Sequence, residues 1–187
     1  KTIILILILS TTFSTNAKQP RDNFTNKYLF IDSLNFLQNS PELNITRVRT
    51  LNYSILGVYG ISMIWLYSQW YKDYPGSSFH FFNDNSEWEQ MDKFGHAWDA
   101  YNIAKPIMHC YRWAGYDEKK SLLYGVGVSF LFQTTVEIFD GFSEEWGFSG
   151  GDMLANLGGL AFFAGQQLTW HEQRMVLKYS FHQTEYA

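Results

Sequence analysis

The sequence has one cysteine, Cys110, in 187 residues, which excludes an intrachain disulfide and any zinc site built on several thiolates. Charge is also scarce. Asp, Glu, Lys and Arg make up 17% of the chain, and 14 basic residues against 18 acidic ones give a net charge of −4. Without a basic excess there is no surface for a phosphate backbone, so no nucleic-acid partner is expected. Two catalytic signatures are missing as well. No HExxH and no P-loop lysine occurs, which removes the common metalloprotease and nucleotide-binding motifs. What is abundant is aromatic: 16 Phe, 12 Tyr and 7 Trp, or 19%. A disordered chain is poor in aromatics and rich in charge, so most of this one is expected to fold, and its length suits one domain of ordinary size.

The N-terminus reads as an export signal. Lys1 precedes the apolar run Ile3–Leu9, and Thr15-Asn16-Ala17 supplies small residues for cleavage, so residues 1–17 are assigned as a signal peptide. The apolar run is too short for a membrane span, which needs about 20 residues. No cysteine stands at the cleavage position, so lipid attachment there is not expected. Residues 18–49 are polar and Asn-rich and read as an N-terminal arm, interrupted at Ser40-Pro41.

Residues 50–175 carry the pattern of a helical bundle. Thr50–Tyr71 is 22 residues without a charge, long enough to cross a bilayer, with Tyr53, Trp65, Tyr67, Trp70 and Tyr71 suited to an interfacial aromatic belt. Its Ser, Gln and Asn content also permits a core helix of a soluble bundle. Ser86-x-x-Glu89 has the form of a capping box before a second helix, Lys105-Pro106 should kink or interrupt that helix, and Gly115 should end it. Asp117 can cap a third helix over Glu118–Asp140, in which Gly125-x-Gly127 reads as packing. Residues 141–151 form a Gly/Ser/aromatic loop, and a fourth helix begins near Gly150, with Gly151, Ala155 and Gly159 making a small-residue face for close helix approach. Residues 176–187 alternate apolar and polar side chains as a strand does. An isolated strand has no partner, so a longer natural chain is expected. The fold class is therefore all-α, a bundle of about four helices with a short strand-like tail.

Acidic and imidazole groups recur on these apolar helices at spacings that share one face. They are Asp92, His96 and Asp99 on the second helix, Gln133, Glu137 and Asp140 on the third, and Asp152 and Asn156 on the fourth. A buried isolated carboxylate is costly, so such groups should find one another or a cation. Four readings stand open: a structural polar network, a divalent-metal site, metal-free acid–base catalysis, and a proton or ligand path. Several members have plain structural roles available. Ser149-x-x-Asp152 can be a capping box, Asp92 and Lys93 stand in a helix first turn, and Asp140 stands at a helix end. As a metal site, one imidazole among carboxylates suits Zn²⁺, Mn²⁺ or Fe²⁺. Its ligands would be His96, Glu137 and one of Asp92, Asp99, Asp140 or Asp152, with Asp140 the choice nearest Glu137 on its helix. Lys93 could then stabilise developing negative charge. Cys110 and His109 are neighbours in sequence and point about 100° apart on a helix, so they form no dyad.

Taken together, Trp88–His96 (WEQMDKFGH), Glu137–Ser143 (EIFDGFS), Trp146–Ser149 (WGFS) and Asp152–Gly158 (DMLANLG) resemble the signature of the uncharacterised family DUF2279, whose members are described as predicted lipoproteins. The likeness runs over roughly residues 65–187 and is nearest to the form found in Bacteroidota, whose members extend beyond Ala187. A more distant likeness is to VanZ-like membrane proteins, which carry D-K-x-x-H, a later Glu and D-x-x-x-N. These resemblances imply an envelope location and a small helical membrane bundle, with Asp92, Lys93, His96, Glu137, Asp140, Asp152 and Asn156 as the motif residues. They imply no established activity. The expectation is thus an exported, membrane-associated envelope protein whose polar cluster is structural or lipid-contacting, with membrane lipid and other envelope proteins as partners. The alternative is a metal-dependent hydrolase acting on an envelope lipid or glycan, with a divalent metal as its cofactor.

Overall fold

Asn44 opens the first helix, its side chain accepting a hydrogen bond from the Arg47 N–H at 3.0 Å, as an N-cap amide does. The structure, a computed structural model, describes residues 38–86 and 90–178. The signal peptide, most of the polar arm and the tail from Tyr179 onward lie outside the described residues. Ser86 does not cap the second helix, which begins at Met91 after Gln90 with no side-chain cap. Helix α1 spans Ile45–Leu66 and runs on as a π-helical turn over Tyr67–Tyr71. It therefore begins five residues before the uncharged run does, and Arg47 and Arg49 belong to its first turns rather than to the arm.

Helix α2 spans Met91–Trp113, α3 Glu118–Gly141 and α4 Gly150–Trp170. Pro106 lies inside α2 without interrupting it. The missing N–H costs one helical bond, and the rest of the turn is retained. Gly115 ends the connection with φ +96°, and a side chain there would run into the Glu42 and Leu43 backbone, so the turn needs glycine. Asp117 caps α3 by accepting from Lys120 N–H at 2.9 Å. Ser149 caps α4 by accepting from Asp152 N–H at 3.1 Å. Residues 176–178 carry no strand.

The core lies between α2, α3 and α4. Ala100, Tyr101, Ala104, Met108, Leu122, Leu160 and Phe163 form one buried cluster. Small residues set how closely the helices approach. A Cβ on Gly125 would collide with the backbone at Ala104 and Met108, and one on Gly159 with Ala97. Gly125 and Gly159 therefore serve packing, whereas Gly127, read with Gly125 as packing, faces open space. The Ser129 hydroxyl donates to the Ala100 carbonyl at 2.8 Å, so α2 and α3 are also pinned by a hydrogen bond.

Helix α1 is attached at points along its length. Its buried residues are Leu51 and Met63. Tyr111 OH donates to Asn52 Oδ1 at 2.8 Å, the Tyr59 and Thr135 hydroxyls share a hydrogen bond, and Arg47 donates to the Trp113 carbonyl at 3.0 Å. Leu56, Val58, Ile61 and Ile64 remain exposed. Among the described residues one helix, α3, is long and apolar enough to cross a membrane. That property falls on Glu118–Gly141 and not on α1.

Candidate functional site

Three helix ends and two loops meet at one end of the bundle: the start of α2, the end of α3 and the start of α4. The loop leading into α2 lies along the α3–α4 loop through paired backbone bonds. Phe82 N–H donates to the Phe148 carbonyl and Phe148 N–H to the His80 carbonyl, each at 3.0 Å. His80 N–H donates to the Gly141 carbonyl at 2.9 Å, and the ring atom His80 Nε2 lies 2.7 Å from the Trp146 carbonyl. Phe79, Phe81 and Phe148 pack edge to face over this seam. The aromatic loop is thus what holds the polar residues beneath it in register.

Lys93 is the hub. Its ammonium lies 2.6 Å from Asp152 Oδ1, 2.7 Å from Asp84 Oδ1 and 3.4 Å from Asp92 Oδ2. Asp84 also accepts from the Ser149 hydroxyl at 2.7 Å. Burial works against both charges here. The mutual ion pair nevertheless prevails, because hydrogen bonds with Asp152 and Asp84 hold Lys93 above the usual lysine range, and bonds from Lys93 and Ser149 hold Asp84 below the usual carboxylate range.

His96 stands one turn further along α2. Its Nδ1 lies 3.3 Å from Asn156 Oδ1. Its Nε2 faces three carboxylates: Glu137 Oε1 at 3.6 Å, Asp92 Oδ1 at 3.7 Å and Asp152 Oδ2 at 3.9 Å. None of these is within hydrogen-bond distance. Glu137 is 1% exposed. One of its oxygens accepts from Ser149 N–H at 3.1 Å, and the other, Oε1, has no hydrogen-bond partner. Burial pushes Glu137 up to about 8, opposed by the Ser149 bond and reinforced by the charges of Asp152, Asp140 and Asp92. Burial likewise pushes Asp152 up to about 6 against the pull of Lys93 and His96.

Asp92, Lys93, His96, Glu137, Asp152 and Asn156 are therefore brought together as the spacing and the resemblance implied. Asp140 is not placed with the metal-type group. It accepts a 2.6 Å hydrogen bond from Tyr71 OH, and burial pushes it up to about 6 despite that bond. The ligand-type atoms that converge with His96 belong to Asp92 and Asp152. Asp99 adds no hydrogen bond or ion pair and is half-buried, with burial raising it to about 6. Gln133 is buried on α3 with its Nε2 unpartnered. Ser149 and Asp152 make half of the capping box. The Ser149 N–H is taken by Glu137, which leaves the Asp152 carboxylate for Lys93. Asp84 and Tyr71 were missed by sequence reasoning. Asp84 lies in the polar stretch Asn83–Ser86, whose composition reads as a turn, and nothing local signals its partner 65 residues away.

Beside Lys93 an open cleft of about 570 Å³ is lined by Phe82, Asn83, Asn85, Gln90, Gly151 and Leu154, among others. Lys93 links cleft and cluster, so a molecule in the cleft would meet the outer side of the ion-paired group.

No curated protein and no solved structure matches this chain. Residues 80–166, which hold every member of the cluster from Asp84 to Asn156, match the family DUF2279, described as a predicted periplasmic lipoprotein.

Proposed function

We propose that this chain is an exported envelope protein whose bundle rests against lipid through its apolar helix faces. In this reading the polar cluster fastens the two loops and three helix termini at one end. The envelope location is supported by the description of the matching family. The observation that carries lipid contact is the exposed run on α1: Leu56, Val58, Ile61 and Ile64 are each 65–72% exposed. Exposed Trp65, Tyr67 and Trp70 follow at its end. Large apolar patches of this kind mark interaction surfaces, and aromatic residues at the border suit a lipid headgroup layer. Leu123 and Leu131 on α3 and Leu154 and Leu157 on α4 are exposed in the same way.

The test is flotation of the purified chain with vesicles of phosphatidylethanolamine and phosphatidylglycerol. The wild type should float with the vesicles, and Ile61→Lys with Ile64→Lys should shift most of it to the soluble fraction while leaving its melting unchanged. Equal flotation of the double variant would remove α1 as the lipid-contacting face.

A second reading, metal-dependent hydrolysis of an envelope lipid or glycan, is supported by the cleft beside Lys93. There the cluster could activate water and Lys93 could offset developing negative charge. Release of phosphate or sugar from envelope extracts by wild type, lost in Glu137→Gln, would favour it over a structural role.

A further inference from the structure

The spacing around His96 Nε2 is too wide for hydrogen bonds and too regular for a packing accident. Three carboxylate oxygens stand 3.6, 3.7 and 3.9 Å from it. In a tetrahedral site with bonds of about 2.1 Å, neighbouring ligand atoms stand roughly 3.4 Å apart. The separations from Nε2 exceed that by only a few tenths of an ångström. Asp92, His96 and Asp152 present ligand atoms within 4.8 Å of one another, while Glu137 stands outside that group. The other ring nitrogen faces Asn156 Oδ1 at 3.3 Å. With that carbonyl accepting, a neutral ring carries its proton on Nδ1 and presents its Nε2 lone pair to the carboxylates. Lone pair against anion is repulsive unless a proton or a metal cation lies between, and an imidazole whose far N–H is held by an oxygen acceptor is the usual orientation of a metal-ligating histidine.

Glu137 supplies the independent observation. It is 1% exposed, and its Oε1 is without a hydrogen-bond partner while standing 3.6 Å from His96 Nε2. A buried carboxylate oxygen left unmet costs free energy, so its place calls for an explanation. Charge points the same way. Asp84, Asp92, Glu137 and Asp152 gather here, and among the described residues Lys93 is the one ammonium ion-paired with them. That ammonium meets Asp84 Oδ1, Asp152 Oδ1 and Asp92 Oδ2, whereas the oxygens that face His96 are Asp152 Oδ2 and Asp92 Oδ1.

We infer that His96 Nε2, Asp92 Oδ1 and Asp152 Oδ2 form a binding site for one divalent transition-metal ion of the Zn²⁺ type, with Glu137 Oε1 closing in from beside the imidazole as a fourth ligand and Asn156 positioning the ring. An imidazole with carboxylates suits Zn²⁺ or Mn²⁺, whereas Ca²⁺ prefers an all-oxygen shell. The site deepens the hydrolytic reading by naming its ion, yet it requires neither hydrolysis nor lipid contact, and a failure of either leaves it standing.

The experiment is calorimetric titration of the full chain with ZnCl₂ and with CaCl₂ after chelator treatment, with elemental analysis of the dialysed product. The expected result is one Zn²⁺ per chain. Affinity should fall at least 100-fold in His96→Gln and in Glu137→Gln, and about 10–100-fold in Asn156→Leu, as removal of an orienting partner does. His171→Ala, at the opposite end of the bundle, should bind as wild type. Should the His96 and Glu137 variants lose their fold by circular dichroism, Co²⁺ added to the wild type still decides. An intense visible d–d band, displaced by one equivalent of Zn²⁺, is expected for a tetrahedral nitrogen and oxygen site. Absence of binding and of that band, Ca²⁺ binding as tight as Zn²⁺, or full Zn²⁺ affinity in a folded His96→Gln would each overturn the assignment.

Discussion

The two ends of the bundle each place a histidine among acids and amides, and they do so differently. At the far end, where α3 starts and α4 finishes, His171 Nδ1 lies 2.9 Å from Glu118 Oε2, and Gln167 donates to the other Glu118 oxygen. Gln173 donates to Gln167 and to the Phe163 carbonyl, each at 3.1 Å, and Gln166 holds the Met175 backbone at both its N–H and its carbonyl. Each of these side chains is met within hydrogen-bond distance. At the near end, His96 Nε2 and Glu137 Oε1 face each other at 3.6 Å without a bond. A network whose purpose is to close a chain end completes its bonds, since half-satisfied buried networks are worse than apolar packing. The near end is half complete, with Glu137 Oε1 and Asn156 Nδ2 left without a hydrogen-bond partner beside His96.

Breaking the near end should cost most at Lys93. Replacing it with Met would leave Asp84 and Asp152 facing each other without their cation, and removing one partner of a buried pair costs about 3–5 kcal/mol. Urea unfolding should show that loss in Lys93→Met. Lys93→Arg should recover most of it, because the charge is retained. A loss under 1 kcal/mol in the Met variant would mean that water already screens the pair.

The two ends should next separate by pH. In the metal-free protein Glu137 is raised from 4.5 to about 8 by burial. A raised acid contributes stability that is complete below its unfolded value and is lost as pH rises through the folded one. Between pH 5 and 8 the near end should therefore lose up to about 1.4 kcal/mol per pH unit through this group. Glu118 is the opposite case, since the hydrogen bonds from Gln167 and from His171 hold it below the usual carboxylate range despite some burial. Its contribution is present above the unfolded value and disappears as pH falls through the folded one. Stability measured with chelator from pH 3 to 9 should lose most of its slope between pH 6 and 8 in Glu137→Gln, since Asp99, Asp140 and Asp152 titrate at about 6, and part of its acid slope in Glu118→Gln. Identical profiles in wild type and Glu137→Gln would show that Glu137 is solvated in both states.

The far end is next in size. Gln166→Leu would strand the Met175 N–H and carbonyl that the amide now satisfies at 2.7 and 3.0 Å, a loss of about 1–3 kcal/mol. Full stability in that variant, measured by thermal unfolding, would show that the segment after α4 contributes nothing to the bundle.

How much of this was legible in the sequence differs between local and distant features. The caps at Asp117 and Ser149 and the stop at Gly115 were readable, because a cap acts within three or four residues. The shared face of Asp92 and His96, and that of Asp152 and Asn156, followed from helical period alone. The start of α1 was not readable from charge, because Asn44 caps a turn that holds two arginines while hydropathy marks only the uncharged run behind them. Asp84, Tyr71 and the free side of Glu137 were hidden for a different reason. Each is defined by a partner on another element, and the Ser149 N–H that the capping pattern assigned to Asp152 is taken by Glu137 in three dimensions. Pattern locates the helices and their polar faces, while the loop seam decides which face meets which.

The smallest expected effect is at His171, and it is the sharpest control for the comparison. The ring is exposed, with its side chain 73% accessible, and Glu118 is 29% accessible. An exposed ion pair of this kind contributes about 0.3–0.5 kcal/mol at most, and less in salt. His171→Ala should therefore melt within about 1 °C or 2 °C of wild type at pH 7, and the small difference should vanish in 0.5 M NaCl. His96→Ala removes a ring that makes one 3.3 Å contact and no other hydrogen bond, so bond counting alone predicts a similarly small change. A histidine positioned to hold an ion predicts something else. His96→Ala should change little in the chelated protein, or even stabilise it by relieving the lone pair facing three carboxylates, and should abolish the stabilisation that Zn²⁺ confers on wild type. If Zn²⁺ raised the melting temperature of both histidine variants equally, the two ends would be alike, and His96 would join the structural network.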